Sequence, residues 1–233
     1  MISGFKKIIL PLIVSSACLI VNQPALAAKS AGEYRLLGLQ YRQQRRYNQA
    51  IAAMEKSVEL EPENISGIVN LGWTLHLAKK EAEAAQYLWK AIYQKPSFVP
   101  AYNALGIVYL VDGNLPAAVL IHTAAAFLKP DNEIAFYNLS LAFHQLEIYP
   151  LAITTANRAA KLEPNNPHPL VAAAISYWDS DDKRNAQQVY RQAINLDGRY
   201  TQTSFLSHLQ KAAFTPKQIN VVNQILSSTA QRK

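Results

Sequence analysis

Proline returns every 34 residues along this chain, at Pro62, Pro96, Pro130 and Pro164, and the next equal step lands on Gly198. A fixed period of this size means that one small supersecondary unit is copied in tandem, each copy burying its apolar face on its neighbours. Proline and glycine both end helices, and each follows an apolar-periodic run. Val58-Glu59-Leu60-Glu61-Pro62 and Ala160-Lys161-Leu162-Glu163-Pro164 are near copies. With the terminator at unit position 32, five units follow without insertion, at 31–64, 65–98, 99–132, 133–166 and 167–200.

The other positions then align. Position 4 is Tyr34, Ile68, Tyr102, Phe136 and Leu170, and position 7 is Leu37, Leu71, Leu105, Leu139 and Ala173. Position 11 is Tyr41, Leu75, Tyr109, Phe143 and Tyr177. Residues spaced 3, 4 and 7 apart share one helix face, so the first half of each unit reads as a helix. Small residues recur at position 8 (Gly38, Gly72, Gly106, Ser140, Ala174) and at position 20 (Ala50, Ala84, Ala118, Ala152, Ala186). They let a second helix approach the first closely. Pro116 and Pro150 fall in the first turn of that second helix, where a missing N–H costs nothing. Asp112-Gly113-Asn114 supplies a turn between the two.

This pattern of a bulky residue, Leu-Gly, Tyr, Ala and Pro resembles the tetratricopeptide repeat, and the resemblance covers residues 31–198. It implies an all-α, right-handed α-solenoid of five 34-residue helical hairpins. Position 24 departs from the family's bulky apolar choice in units three and four, with His122 and Ala156, and unit five lacks Leu-Gly. After the repeats, residues 201–233 read as two capping helices that cover the exposed solenoid end. Phe205, Leu206, Leu209 and Ala213 make one apolar face. After the cap signal Thr215-Pro216, the residues Ile219, Val222, Ile225 and Leu226 make another. Residues from Ser227 onward are expected to fray.

Residues 1–27 have the three parts of an export signal. Lys6 and Lys7 precede an apolar run, Ile8 to Val21, and Ala25 and Ala27 stand where a signal peptidase reads small residues. The alternative is an uncleaved N-terminal anchor, and both place the repeats on the far side of a membrane. The export signal looks bacterial, which makes the periplasm the expected site. Similar repeat proteins in cyanobacteria assist assembly of photosynthetic membrane complexes, which implies a thylakoid-lumen or thylakoid-facing version. The one cysteine, Cys18, lies within this segment, so no intramolecular disulfide is possible.

By the same resemblance, positions 2, 5, 6, 9, 12 and 13 of the first helices line a concave groove that binds a peptide or helix. The groove candidates are Arg35, Asn70, Trp73, His76, Asn103, Ile107, Leu110, Tyr137, Asn138, Leu141, His144 and Trp178. Asn70 and Asn138 occupy position 6, where an amide can both donate to and accept from a peptide backbone; the alternative is a solvated asparagine. Trp73, Ile107, Leu110, Leu141 and Trp178 would form an apolar floor, unless the cap covers part of it. A basic clamp for acidic chaperone tails is not expected: Leu39 stands at position 9 of unit one, and units two and three carry no lysine or arginine at positions 2, 5 or 6.

The five histidines are not clustered at ligand spacing, and no phosphate loop, nucleophile elbow or zinc-protease motif occurs. The expectation is a non-enzymatic scaffold and assembly factor with no cofactor, metal or small-molecule substrate. The alternative is a structural subunit that associates through its convex face or its cap. The formal charge of +7 at first suggests nucleic acid. Residues 28–198, however, hold 16 basic and 16 acidic residues. The excess lies in the signal and in Arg199, Lys211, Lys217, Arg232 and Lys233. That points to an anionic membrane surface or acidic partner at the C-terminal end, and away from nucleic acid; the alternative is a merely solvated cap.

Overall fold

The computed structural model describes residues 29–230; the export segment with Cys18, and the terminal Arg232 and Lys233, lie outside the described residues. Five helical hairpins follow one another. They are α1 (Ala31–Gln43) with α2 (Tyr47–Leu60), α3 (Ile65–Leu77) with α4 (Glu81–Gln94), and α5 (Val99–Asp112) with α6 (Leu115–Leu128). Then come α7 (Glu133–Gln145) with α8 (Tyr149–Leu162), and α9 (Pro167–Asp179) with α10 (Lys183–Leu196). Two 3₁₀ stretches, Gly198–Thr201 and Thr203–Ala212, lead into α11 (Pro216–Ala230). The chain is an all-α solenoid with C-terminal helices. The first helix of every hairpin starts at the first residue of a repeat unit.

Local chemistry sets these ends. Ser30, Asn64, Asn132 and Asn166 each accept a backbone N–H of the following first turn, and Asn114 and Asp182 do the same for α6 and α10. The turn inside each hairpin needs a left-handed residue at position 15. It is met by Gly113 (φ 82°) but also by Arg45, Lys79, Glu147 and Asp181, with φ between 59° and 69°. The sequence marks only the glycine; the other four show that hairpin packing holds a conformation that is costly for a residue with a Cβ.

The helix contacts account for the small residues. All five position-20 alanines are fully buried. A Cβ added at Gly38 would lie 2.5 Å from Met54 Cγ, at Gly72 2.7 Å from Leu88 Cγ, and at Gly106 2.5 Å from His122 Nε2. Positions 8 and 24 are therefore one contact. Glycine faces Met54, Leu88 or the His122 ring; the fourth hairpin has Ser140 with the small Ala156, and the fifth has Ala174 with the large Tyr190. His122 is a core residue, fully buried, with neither ring nitrogen hydrogen-bonded. Burial lowers its pKa to about 3.

The C-terminal segment departs from expectation. Its first part is a 3₁₀ run, not an α-helix, and it closes on Ala213 at φ 63°. Leu206, Leu209, Phe214, Val221, Val222 and Ile225 enter one buried cluster with Leu141, Val171 and Ile175 of the first helices. Residues 227–230 stay helical: Ser227, Ser228 and Thr229 hydroxyls donate to backbone carbonyls of the preceding turn, and Gln187 donates to Ser228 Oγ. This tail folds back over the concave side of the fourth and fifth hairpins.

Candidate binding groove

The groove-lining positions of the first helices divide at about the third hairpin. In the C-terminal half, the tail occupies the space a partner would need. The Gln218 side-chain amide donates to Leu141 O at 3.4 Å and lies 3.1 Å from His144 Nδ1. The Tyr137 hydroxyl donates to Ala212 O at 2.5 Å, and burial raises its pKa well above the usual phenol value. Trp178 Nε1 donates to Gln224 Oε1 at 3.2 Å. Leu141 is fully buried and Leu110 nearly so, both in the cluster that includes the tail.

Several expected groove residues are therefore committed inside the fold. Leu110, Leu141 and Trp178 face the tail instead of an open floor. Asn138 is largely buried, and its amide donates to Ile134 O of its own helix at 2.9 Å, yet it still lines the cavity beside Trp73 and Ile107. Asn103 exchanges two hydrogen bonds with the Asn132 amide, 2.8 and 3.3 Å. The two position-12 histidines are internal ties. His76 Nδ1 lies 2.6 Å from Glu81 Oε2, joining the two helices of its hairpin. His144 Nε2 lies 3.1 Å from Asp179 Oδ2 of the next hairpin. Burial lowers the His144 pKa, although Asp179 opposes that shift. Repeat periodicity places these side chains on the groove side; only the tertiary contacts show that they are already used.

The N-terminal half stays open. Trp73, Leu77, Ile107, Val111, Ile134 and Tyr137 border a cavity of about 600 Å³, whose far wall is tail residues Gln210 to Ala213. Lys79 and Lys211 stand at its edge. The Trp73 ring leans on His76, with centroids 4.8 Å apart, so the histidine that Glu81 pins also steadies the indole. Asn70 is half-buried, and its side-chain amide makes no hydrogen bond among the described residues. Arg35, one repeat earlier, is 3.3 Å from Glu61. The cavity offers an apolar bay with an indole anchor, the Asn138 amide on its wall and cations at the margin, which is suited to holding a side chain and a stretch of peptide backbone. Among the described residues, no group of three or more histidine, cysteine or acidic side chains converges to hold a metal ion, and no helix is long and apolar enough to cross a membrane.

Among the described residues, the basic side chains of the C-terminal end do not form one patch. Arg199 pairs with Asp197 at 2.8 Å, Lys217 is 3.9 Å from Glu147, and Lys211 borders the cavity.

Residues 31–64, 103–167 and 168–200 each match a family described as Tetratricopeptide repeat. Among curated proteins, the BBSome complex member BBS4 of Bos taurus is 24% identical over 165 residues, which is 69% of this chain and 31% of that protein. The chain spans less than a third of the length of the curated relatives it matches. Among solved structures, that of MamA protein superposes with a TM-score of 0.63 at 20% identity, over 72% of this chain and 92% of that one. YrrB, described as a TPR protein with an unusual peptide-binding site, superposes with a TM-score of 0.58 at 15% identity, over 72% and 87%. At these identities the structural likeness is one of fold. With three matched stretches covering most of the five hairpins, and the repeat geometry in place, the chain belongs to the tetratricopeptide repeat family.

Proposed function

We propose that this chain is a non-catalytic, exported scaffold that holds a peptide or helix of a partner protein in the open N-terminal half of its groove. It serves assembly or stabilisation of a membrane or envelope complex. The observation that carries the binding reading is the cavity beside Trp73 and Ile107, left open next to the tail that covers the concave side of the fourth and fifth hairpins. Repeat proteins of this family act in protein–protein interaction, and BBS4, a complex member, and YrrB, with its peptide-binding site, are similar proteins with such roles in their descriptions. Export rests on the three-part pattern of residues 1–27, with the periplasm as destination, or the thylakoid lumen in a cyanobacterial source.

The experiment is capture of partners from membranes of the native source by wild type, Trp73→Ala and Asn70→Ala, with helicity checked by circular dichroism. Specific partners should be retained by wild type and lost from Trp73→Ala while the fold persists. Recovery of the same proteins by both would refute groove binding. Fractionation of cells expressing the full chain tests export; retention in the cytoplasm would overturn that part alone.

A further inference from the structure

Helix α6 carries no aspartate, glutamate, lysine or arginine, and it is apolar on its outer side as well as its inner side. A helix of that composition is normally covered on all sides. Here Leu120 is 67% and Phe127 85% exposed. They occupy unit positions 22 and 29, which point away from the groove. On the next hairpin outward, position 29 is Tyr93, 77% exposed, and its ring stacks on Trp89 with centroids 5.7 Å apart. Trp89 is held in place, because its Nε1 donates to the Tyr109 hydroxyl at 2.9 Å. The other hairpins put Glu59, Lys161 and Asn195 at position 29, so among the described residues the exposed position-29 aromatics belong to the second and third hairpins; elsewhere single leucines such as Leu60, Leu151 and Leu196 are about half exposed.

Cations border it on both hairpins, and some of the neighbouring acids are already paired. Lys90 lies beside Trp89 and Tyr93. Lys95 and Lys129 follow the ends of α4 and α6, and Arg158 reaches the same turn by donating to Pro130 O at 3.1 Å. Against these four stand Asp131 and Glu133 of the adjoining turn and helix start, and Glu63 and Glu61 of the turn where Gln94 donates to Pro62 O at 3.2 Å, Glu61 being held by Arg35 at 3.3 Å. The acids at the start of α4 are already engaged, Glu83 by Lys80 at 3.0 Å and Glu81 by His76.

We propose that this convex face is a docking surface for an anionic phospholipid bilayer. Phe127, Leu120, Tyr93 and Trp89 enter the interfacial layer, and Lys90, Lys95 and Lys129 lie against the headgroups. Aromatic rings and leucine flanked by lysine are the side chains that favour that layer. The crest of a convex face also meets a plane without distortion. A second copy seated on the same face would set one lysine border against its equal, which is unfavourable.

The test places an environment-sensitive fluorophore on the full chain, with Cys18→Ser to free the labelling. One label goes at Thr123→Cys on the outer side of α6, and a second, separately, at Asn220→Cys on α11. Site-resolved labels report contact at each surface whether or not the N-terminal segment also binds lipid. With vesicles of equal parts phosphatidylglycerol and phosphatidylcholine, the residue 123 label should shift to the blue, and far less with phosphatidylcholine alone. Leu120→Glu combined with Phe127→Glu, both exposed and so tolerated by the fold, should weaken that response about tenfold or more. An unchanged response in the double variant overturns the proposal. So does a shift confined to residue 220, which would place lipid at the C-terminal end. A shift at residue 123 that grows with protein concentration in the absence of vesicles also overturns it, in favour of a second copy.

Discussion

The two halves of the groove are built from the same repeat positions and end in opposite states. At position 9, Trp73 in the N-terminal half borders an open cavity, whereas Leu141 in the C-terminal half is fully buried against the tail. Position 6 is less sharply divided: Asn138 donates to Ile134 O of its own helix yet lines the same cavity as Trp73. Position within the repeat therefore decides which way a side chain points, while the remainder of the chain decides whether anything outside can reach it. A solenoid must cover its last apolar face, and this one covers the groove with the same stroke.

The comparison breaks most severely if the tail is removed. A chain ending at Tyr200 leaves Val171, Ile175 and Leu141 uncovered, and its melting temperature should fall by on the order of 10 °C or more. Faster amide exchange should appear in α7 and α9 but not in α1 to α4. An unaltered melting curve would mean that the tail is only an occupant of the groove and not part of the core. The next effect separates the halves by single residues. Leu141→Ala should cost about 2–5 kcal/mol in chemical denaturation, while Trp73→Ala should cost well under that and act on partner capture instead.

Some changes should ignore the division. The position-20 alanines have the same role throughout, so Ala84→Leu, Ala118→Leu and Ala152→Leu should each cost about 1–3 kcal/mol by overpacking. A variant that melts like wild type would refute the shared register at that hairpin.

Acid should act on the centre and on the filled half. His122 has a folded pKa near 3 against an ordinary value of 6.5, and burial lowers His144 as well. The folded-state value is depressed in both, so between those limits the unfolded chain binds more protons than the native one. Stability is then complete above pH 6.5 and declines as pH falls toward 3. His122→Leu should flatten this decline, and exchange of α11 amides should rise on acidification, because His144 sits against Gln218. Equal slopes for wild type and His122→Leu would rule out His122 as the source. The smallest effect is at the turns: Lys79→Gly relieves a left-handed lysine in the open half and should gain about 1 kcal/mol.

Much of the molecule was readable before its structure. The period placed every first helix, because the helix-ending proline or glycine and the small contact residues are local signals repeated without insertion. In the first three hairpins position 24 makes sense as the side chain that fills the room left by a glycine at position 8. The turn residues at position 15 were not legible, since four of the five carry a side chain that nothing local favours there. The tail was legible as apolar and terminal, but Tyr200, Phe214 and Val221 fell outside its periodic faces, and its 3₁₀ path has no signal in a helical pattern. The outward faces of α4 and α6 went unread for a different reason: an apolar residue on a helix announces burial, not which side is left bare.

By itself, then, the sequence determined an array of five helical hairpins and the face on which each side chain stands, because those follow from spacing along one helix and from the room between two. Which half of the groove stays open was decided only in the tertiary structure. That depends on where a non-repeating tail of 30 or so residues finds apolar surface to bury, and contacts such as Gln218 with Leu141 join positions 77 residues apart. No local pattern encodes them.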